Sequence, residues 1–264
     1  MKGVALAFAA ILPVALAACG ISGHSSRSAA TVAGSPQHSS AVSTSTSSTA
    51  PATTLNAHLF ANGMAAPIPT VPYKVVSGKV MRAYIQFEHN YGAASGAVGQ
   101  PESAESITQN TSGFKLCTPD TGGGQSCASF TKVTANQAGQ VTGLSVNGKP
   151  VAGRIATAPT AKSGGLTISD VVAYELTGTE DTVVVAFKLT DNSYRPVNTS
   201  PALLASLSGA SDDTNKDALP ATLAPGDTLY AAAGFDVPQS TGLFCLQPND
   251  GFGEHLPCTT LSQA

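Results

Sequence analysis

Tryptophan is absent from the chain, aromatic residues make up only 6% of it and charged residues only 11%. No cluster of lysines and arginines forms a basic stripe, so nucleic acid is not expected as a partner. The sequence also lacks G-x-S-x-G, H-E-x-x-H, a P-loop and a dinucleotide fingerprint, the short motifs that would announce a hydrolase, a metalloprotease or a nucleotide enzyme. What the chain has in abundance is valine, threonine, serine and glycine, a composition that favours strands and turns over helices.

The N-terminus is the most informative stretch. Lys2 precedes an apolar run from Val4 to Leu16, broken only by Pro13. That run is shorter than the ~20 residues a spanning helix needs, so it reads as the apolar region of a signal peptide. Its end, Leu16-Ala17-Ala18-Cys19-Gly20, resembles the bacterial lipobox. The resemblance implies cleavage before Cys19 and a diacylglycerol on its thiol, often with acylation of the new amine. Two or three acyl chains hold a protein to a membrane far better than one, at ~0.8 kcal/mol per buried CH₂. The competing reading is an ordinary signal peptide that leaves Cys19 as a free thiol.

Removal of residues 1–18 from the 264 leaves 246, and the next stretch is low in complexity. From Ser22 to Pro72 there is no acidic residue and Arg27 is the only charge; within Ser39–Thr54, 11 of 16 residues are serine or threonine. Such a segment buries too little apolar surface to offset its ordering entropy, so residues 19–70 are expected to form a disordered linker behind the lipidated cysteine. Its composition also suits O-glycosylation, although a bare spacer is the simpler reading. Roughly 190–200 residues remain to fold, enough for one large or two small domains.

Beyond Cys19 four cysteines remain: Cys117, Cys127, Cys245 and Cys258. An even number outside the cytoplasm is most simply two disulfides, and the short separations favour Cys117–Cys127 and Cys245–Cys258. A zinc site is the rival, but neither pair has C-x₂₋₄-C spacing and only His255 lies close in sequence.

Two β regions follow the linker. In the first, residues 71–158, Val71–Phe87 alternates with Met81, Ala83, Ile85 and Phe87 on one side; helical spacing at Val80, Tyr84, Phe87 and Tyr91 competes, and the strand is preferred. Gly92–Ser112 reads as a long loop, and Gln140–Val146 leads into Asn147-Gly148, a hairpin turn that Pro150 places at a sheet edge. In the second, residues 159–264, Leu166–Leu176 and Thr182–Thr190 are strands, the latter with Val183, Val185, Phe187 and Leu189 on one face. Ala224-Pro225-Gly226-Asp227 has the pattern of a type II turn and launches Thr228–Val237. Gly242–Gln247 is the last strand expected. The fold class is therefore all-β: an antiparallel β-sandwich preceded by a small antiparallel meander.

The order VVVAFKLTDNSYRPV, then LAPGDTLYAAAGFDVP, then GLFCL resembles the telokin-like, immunoglobulin-like domain of exported actinobacterial proteins, over roughly residues 160–250. The similarity rests on Pro225-Gly226 and on Phe235-Asp236-Val237-Pro238. It implies an extracellular interaction module and carries no catalytic residues.

Candidate chemistry is thin. Ser129-Phe130-Thr131-Lys132 fits S-x-x-K and Lys162-Ser163-Gly164 mimics K-T-G, but Ser129 falls in an expected strand and Ser169-Asp170 comes in the wrong order. Asp213-Thr214-Asn215-Lys216-Asp217 alternates oxygen ligands as calcium loops do, yet Ala218 and Ala224 occupy the positions of the required glycine and glutamate. Asn249-Asp250-Gly251-Phe252-Gly253-Glu254-His255 gathers two carboxylates and an imidazole, more simply a stapled surface loop. His24, His38 and His58 fall in or near the linker, leaving His89 and His255. No cofactor, metal or catalytic residue is expected. The sequence reads as a non-enzymatic lipoprotein on the extracytoplasmic face of the cell membrane, held by lipid on Cys19 and binding an envelope protein or polymer. The alternative is a carrier holding a small ligand between its sheets, and a third reading is an enzyme with an unfamiliar site near His255.

Overall fold

The computed structural model describes residues 52–99, 106–110, 113–119, 124–176, 182–194, 197–198, 203–207, 211–212, 218, 222–237, 239–248 and 257–264. Among the described residues, two α-helices and a 3-10 turn open the fold: α1 (Ala52–Met64), the turn Tyr73–Val75, and α2 (Lys79–Ala97). Strands make up the rest. A five-stranded antiparallel meander comprises β1 (Ser106–Asn110), β2 (Gly113–Pro119), β3 (Gln125–Ala135), β4 (Val141–Val146) and β5 (Lys149–Pro150), paired in chain order. Next come β6 (Ile155–Ala158), β7 (Ala161–Ser163), β8 (Leu166–Glu175), β9 (Thr182–Asp191), β10 (Val197–Asn198), β11 (Leu203–Leu207) and β12 (Ser211–Asp212). The chain closes with β13 (Thr222–Leu223), β14 (Thr228–Asp236), β15 (Gly242–Pro248) and β16 (Cys258–Gln263).

The larger sheet runs β11-β15-β16-β6-β8-β9-β14-β12, with β7 paired to β8, and it is antiparallel throughout. It folds onto itself as a sandwich. The rings of Phe187 on β9 and Phe235 on β14 meet Phe244 on β15 at centroid distances of 5.3 and 6.2 Å. Val183, Val185, Phe187 and Leu189 do share one buried face, joined by Ala231, Ala233 and Phe235. The fold is thus mostly β and sandwich-like, with the meander as a second β layer.

Residues 71–87 correct the strand expected there: the 3-10 turn and the first half of α2 occupy them. The reason is the helix's position. Met81, Tyr84, Ile85, Phe87 and Ala94 are buried in one cluster with Val141 and Leu144 of the meander and with Val172, Tyr174, Val184, Ala186 and Ala232 of the large sheet. A helix covered from two sides carries a wide apolar arc, and a wide arc contains residues at i+2 as well as at i+3 and i+4. Two of the positions on β9 and β14 in this cluster, Ala186 and Ala232, are small and stand directly opposite each other in the register. Gly99, at φ +76°, accepts the left-handed turn that ends the helix.

The linker expectation is corrected at its C-terminal end. Residues 52–64 are helical, and Phe60, Ala61 and Met64 at helical spacing are buried against the meander, with Phe60 edge-on to Phe114 at 5.9 Å. The strap that follows runs back along α2. Two glycines allow this: a Cβ on Gly63 would stand 2.9 Å from Val71 Cγ2, and one on Gly92 would stand 2.9 Å from Pro69 Cδ and 3.1 Å from the Pro67 carbonyl oxygen. Gly92–Ala97, expected as loop, completes α2.

The turns follow their sequences. Asn147 and Gly148, at φ +49° and +82°, join β4 to the edge strand β5 with its Pro150. The Asp227 N–H donates to the Ala224 carbonyl at 2.9 Å with Gly226 at φ +83°, closing the type II turn before β14. Beyond the expected last strand, the C-terminal residues form β16, which joins β15 to β6.

Candidate functional site

Each disulfide bridges residues directly opposite one another on neighbouring strands. Cys117 of β2 faces Cys127 of β3, and Cys245 of β15 faces Cys258 of β16, both with Cα atoms 4.1 Å apart. These are the pairs that the spacing favours, and each staples one hairpin. Cys19 lies outside the described residues, as do 213–217 and the 249–256 segment with His255. Among the described residues, no three His, Cys, Asp or Glu side chains gather as a metal-holding group.

The penicillin-enzyme pattern has no helix to sit on. Ser129 and Lys132 lie within β3, where the Ser129 N–H donates to Asn147 Oδ1 at 2.8 Å. Lys162 and Ser163 belong to β7, and Asp170 sits in a bulge of β8 at φ +51°. His89 of α2 places Nδ1 2.9 Å from the Pro69 carbonyl oxygen and its ring edge-on to Tyr230, so it braces the strap against the sheet.

A polar cluster absent from the sequence reading lies where α2, β6, β8 and the approach to β15 meet. The Arg154 guanidinium stacks over the Tyr174 ring, 4.8 Å from its centroid. Its Nη2 donates to the Glu175 carbonyl oxygen, and its Nε lies 4.0 Å from Glu175 Oε2. Glu175 Oε1 accepts from the Ser240 N–H at 3.1 Å. From α2, Tyr84 meets Tyr174 edge-on at 5.3 Å, Phe87 lies at 5.2 Å, and the Tyr84 hydroxyl bonds to Glu88. Arg154 is 9% exposed, Tyr174 3% and Ser240 0%.

Burial pushes the Tyr84 phenol well above its ordinary range, and the Glu88 carboxylate adds to the effect. Burial also raises Tyr174, against the opposing pull of the Arg154 cation. Both phenols therefore stay protonated at neutral pH; the Tyr84 hydroxyl donates to Glu88, whereas the buried Tyr174 hydroxyl has no hydrogen-bond partner among the described residues. A second set of bonds ties α2 to the β8 bulge. Tyr73 OH donates to Gln86 Oε1 at 2.6 Å, Gln86 Nε2 to Asn90 Oδ1 at 2.7 Å, and the fully buried Asn90 Nδ2 to the Asp170 carbonyl at 2.7 Å. The sequence signal for the cluster was slight: one Tyr-Glu pair ending β8 after an apolar Val171–Ala173 run, and one arginine before β6, in a chain poor in charge.

Fold and cluster together define an antiparallel β-sandwich protein with a helix held between two β layers and two stapled hairpins. No family model matches the chain, and neither a curated protein nor a solved structure matches it.

Proposed function

We propose that this protein is a lipid-anchored lipoprotein of the extracytoplasmic face of the cell membrane, a non-catalytic module that binds a protein or polymer of the envelope. The observation that carries the reading is the division of its five cysteines. Four are paired in cross-strand disulfides, which persist in oxidising compartments, and the fifth, Cys19, ends the lipobox-like Leu16-Ala17-Ala18 run. The likeness of residues 160–250 to telokin-like domains of exported actinobacterial proteins supports the same reading.

The carrier alternative would need an apolar cavity between the sheets with convergent polar groups. In the Arg154–Tyr174–Glu175–Ser240 cluster, Arg154, Tyr174 and Ser240 are instead buried and Glu175 half-buried, with the aromatic rings of α2 packed on Tyr174, the situation of an internal brace. Within this reading, binding falls to the outer surfaces of a scaffold with two disulfide-stapled hairpins.

The test is mass spectrometry of the protein from membranes of a bacterial host. The expected N-terminal peptide begins at Cys19 with added diacylglycerol, and an inhibitor of signal peptidase II leaves residues 1–18 attached. The processed chain, immobilised, should then retain an envelope component. An unmodified Cys19 thiol in a soluble fraction refutes the anchor, and an immobilised chain that retains no envelope protein or polymer refutes the binding role.

A further inference from the structure

Charge is distributed unevenly along this chain. None of its sixteen acidic residues precedes Glu88, whereas five of its thirteen lysines and arginines do; residues 88–264 carry the other eight cations against all sixteen acids, a balance of −8. The fold turns this asymmetry into a surface. Lys79 and Arg82 stand one turn apart on the exposed side of α2, and Lys74 is exposed in the preceding 3-10 turn. Beside them two large apolar side chains stand in solvent, Ile68 of the strap at 41% and Tyr73 of the 3-10 turn at 55% exposure. They belong to the same strip. Tyr73 reaches Gln86, one turn beyond Arg82, while the residues around Ile68 press on Gly92 further along the helix. None of the three cations forms an ion pair among the described residues. Glu88 turns the other way, to the Tyr84 hydroxyl, and Asp170 borders the far end of the strip through the Asn90 bond.

We propose that this strip (Ile68, Tyr73, Lys74, Lys79 and Arg82) docks on the anionic headgroups of the bilayer to which Cys19 is anchored, and so fixes which way the sandwich faces. The inference rests on the anchor reading for its setting. Position in the chain selects the occupant: the strip follows α1, the first described element after Cys19, and its charge is opposite to that of the rest of the chain. Apolar side chains flanked by cations suit an interface where rings enter the headgroup layer and ammonium groups meet phosphates. A cation near an anionic surface contributes on the order of 1 kcal/mol, about fivefold in partitioning, so three give about a hundredfold. That is too weak to hold a protein unaided and enough to orient one already tethered.

The experiment uses residues 19–264 with Cys19→Ser, so that no acyl chain masks the contact, and vesicles of phosphatidylcholine with or without phosphatidylglycerol. Sedimentation is expected with the anionic vesicles only, and high salt should release the protein. Lys74→Glu/Lys79→Glu/Arg82→Glu should reduce binding about a hundredfold or more, while Lys115→Glu/Lys149→Glu/Lys162→Glu, exposed cations of the β layers, should leave it unchanged. Because the chain has no tryptophan, Tyr73→Trp supplies a second readout that does not depend on the triple variant folding: its emission should shift to the blue on anionic vesicles alone. Equal binding to neutral vesicles, an equal loss in the control variant, or indole emission that stays in place when anionic vesicles are added overturns the proposal. Failure here with an acylated Cys19 removes the docking strip and leaves the anchor standing; an unmodified Cys19 removes the anchor whatever the vesicles show.

Discussion

Among single side chains, the two tyrosines of the brace make a prediction about alkali. Tyr84 and Tyr174 are two of the six tyrosines, and both are held protonated in the folded protein by burial. In the unfolded chain each returns to a pKa of about 10. A folded pKa above the unfolded one means that the unfolded state releases its proton first, so stability is complete below about pH 10 and falls as the pH rises beyond it. Absorbance near 295 nm should therefore show a late stage in which this buried pair ionises together with loss of circular dichroism. Tyr84→Phe should move that late stage to higher pH if it folds with the same core. Ionisation of Tyr84 and Tyr174 near a pH of about 10 while the fold stays intact would contradict the burial. Features of this size were unevenly legible. Cys117, Cys127, Asn147-Gly148 and Pro225-Gly226 act through neighbours in sequence and could be read directly. Tyr84, Arg154, Tyr174 and Ser240 meet only because the chain folds, and nothing local marks them.

Of the helices and strands, α2 is the part the sequence disguised. Its Met81, Ala83, Ile85 and Phe87 alternate because the helix is covered by two β layers, and the strap laid along its second half gives its glycines opposite roles. Gly92 lies against Pro69 and the Pro67 carbonyl, so a methyl group there has to displace backbone; Gly96 has nothing within 4 Å of its would-be Cβ. Gly96→Ala should therefore stabilise the protein by up to about 1 kcal/mol through helix propensity alone. Gly92→Ala gains the same propensity but meets the strap, and overpacking of this kind typically costs ~1–3 kcal/mol, so its net effect should be destabilising. Urea denaturation of the two variants measures the difference, and a Gly92→Ala protein as stable as Gly96→Ala would show that the strap yields freely. Strands β9 and β14 were legible for the converse reason: one face of each packs inside the sandwich, and its period of two survives. Only their second face, covered by α2, could not be foreseen once α2 itself was read as a strand. Helix α1 was hidden by the Ser/Thr-rich composition that runs into its first turn.

For the molecule taken whole, the question is whether the meander and the sandwich stand or fall together. The division of the sequence at residue 158 suggests two neighbouring units, but the packing joins them. One buried cluster contains Phe114, Phe130 and Leu144 from the meander, Phe60 from α1, Tyr84 and Phe87 from α2, and Tyr174 and Val184 from the large sheet. Residues 149–158 also run from the edge of the meander, β5, directly into β6 of the sandwich sheet. Neither β layer can lose α2 without exposing its own half of this cluster. Unfolding should accordingly be a single transition in urea, and the slowest-exchanging amides of β3 and β4 should share one protection free energy with those of β9 and β14. Phe87→Ala is the decisive variant. Its ring is buried between Tyr91 and Tyr174, and removing such a ring costs about 3–5 kcal/mol. If the layers are coupled through α2, protection in both sheets should drop by the same amount. A drop confined to β9 and β14, with β3 and β4 unaffected, would mean that the meander folds on α1 alone and that α2 belongs only to the sandwich.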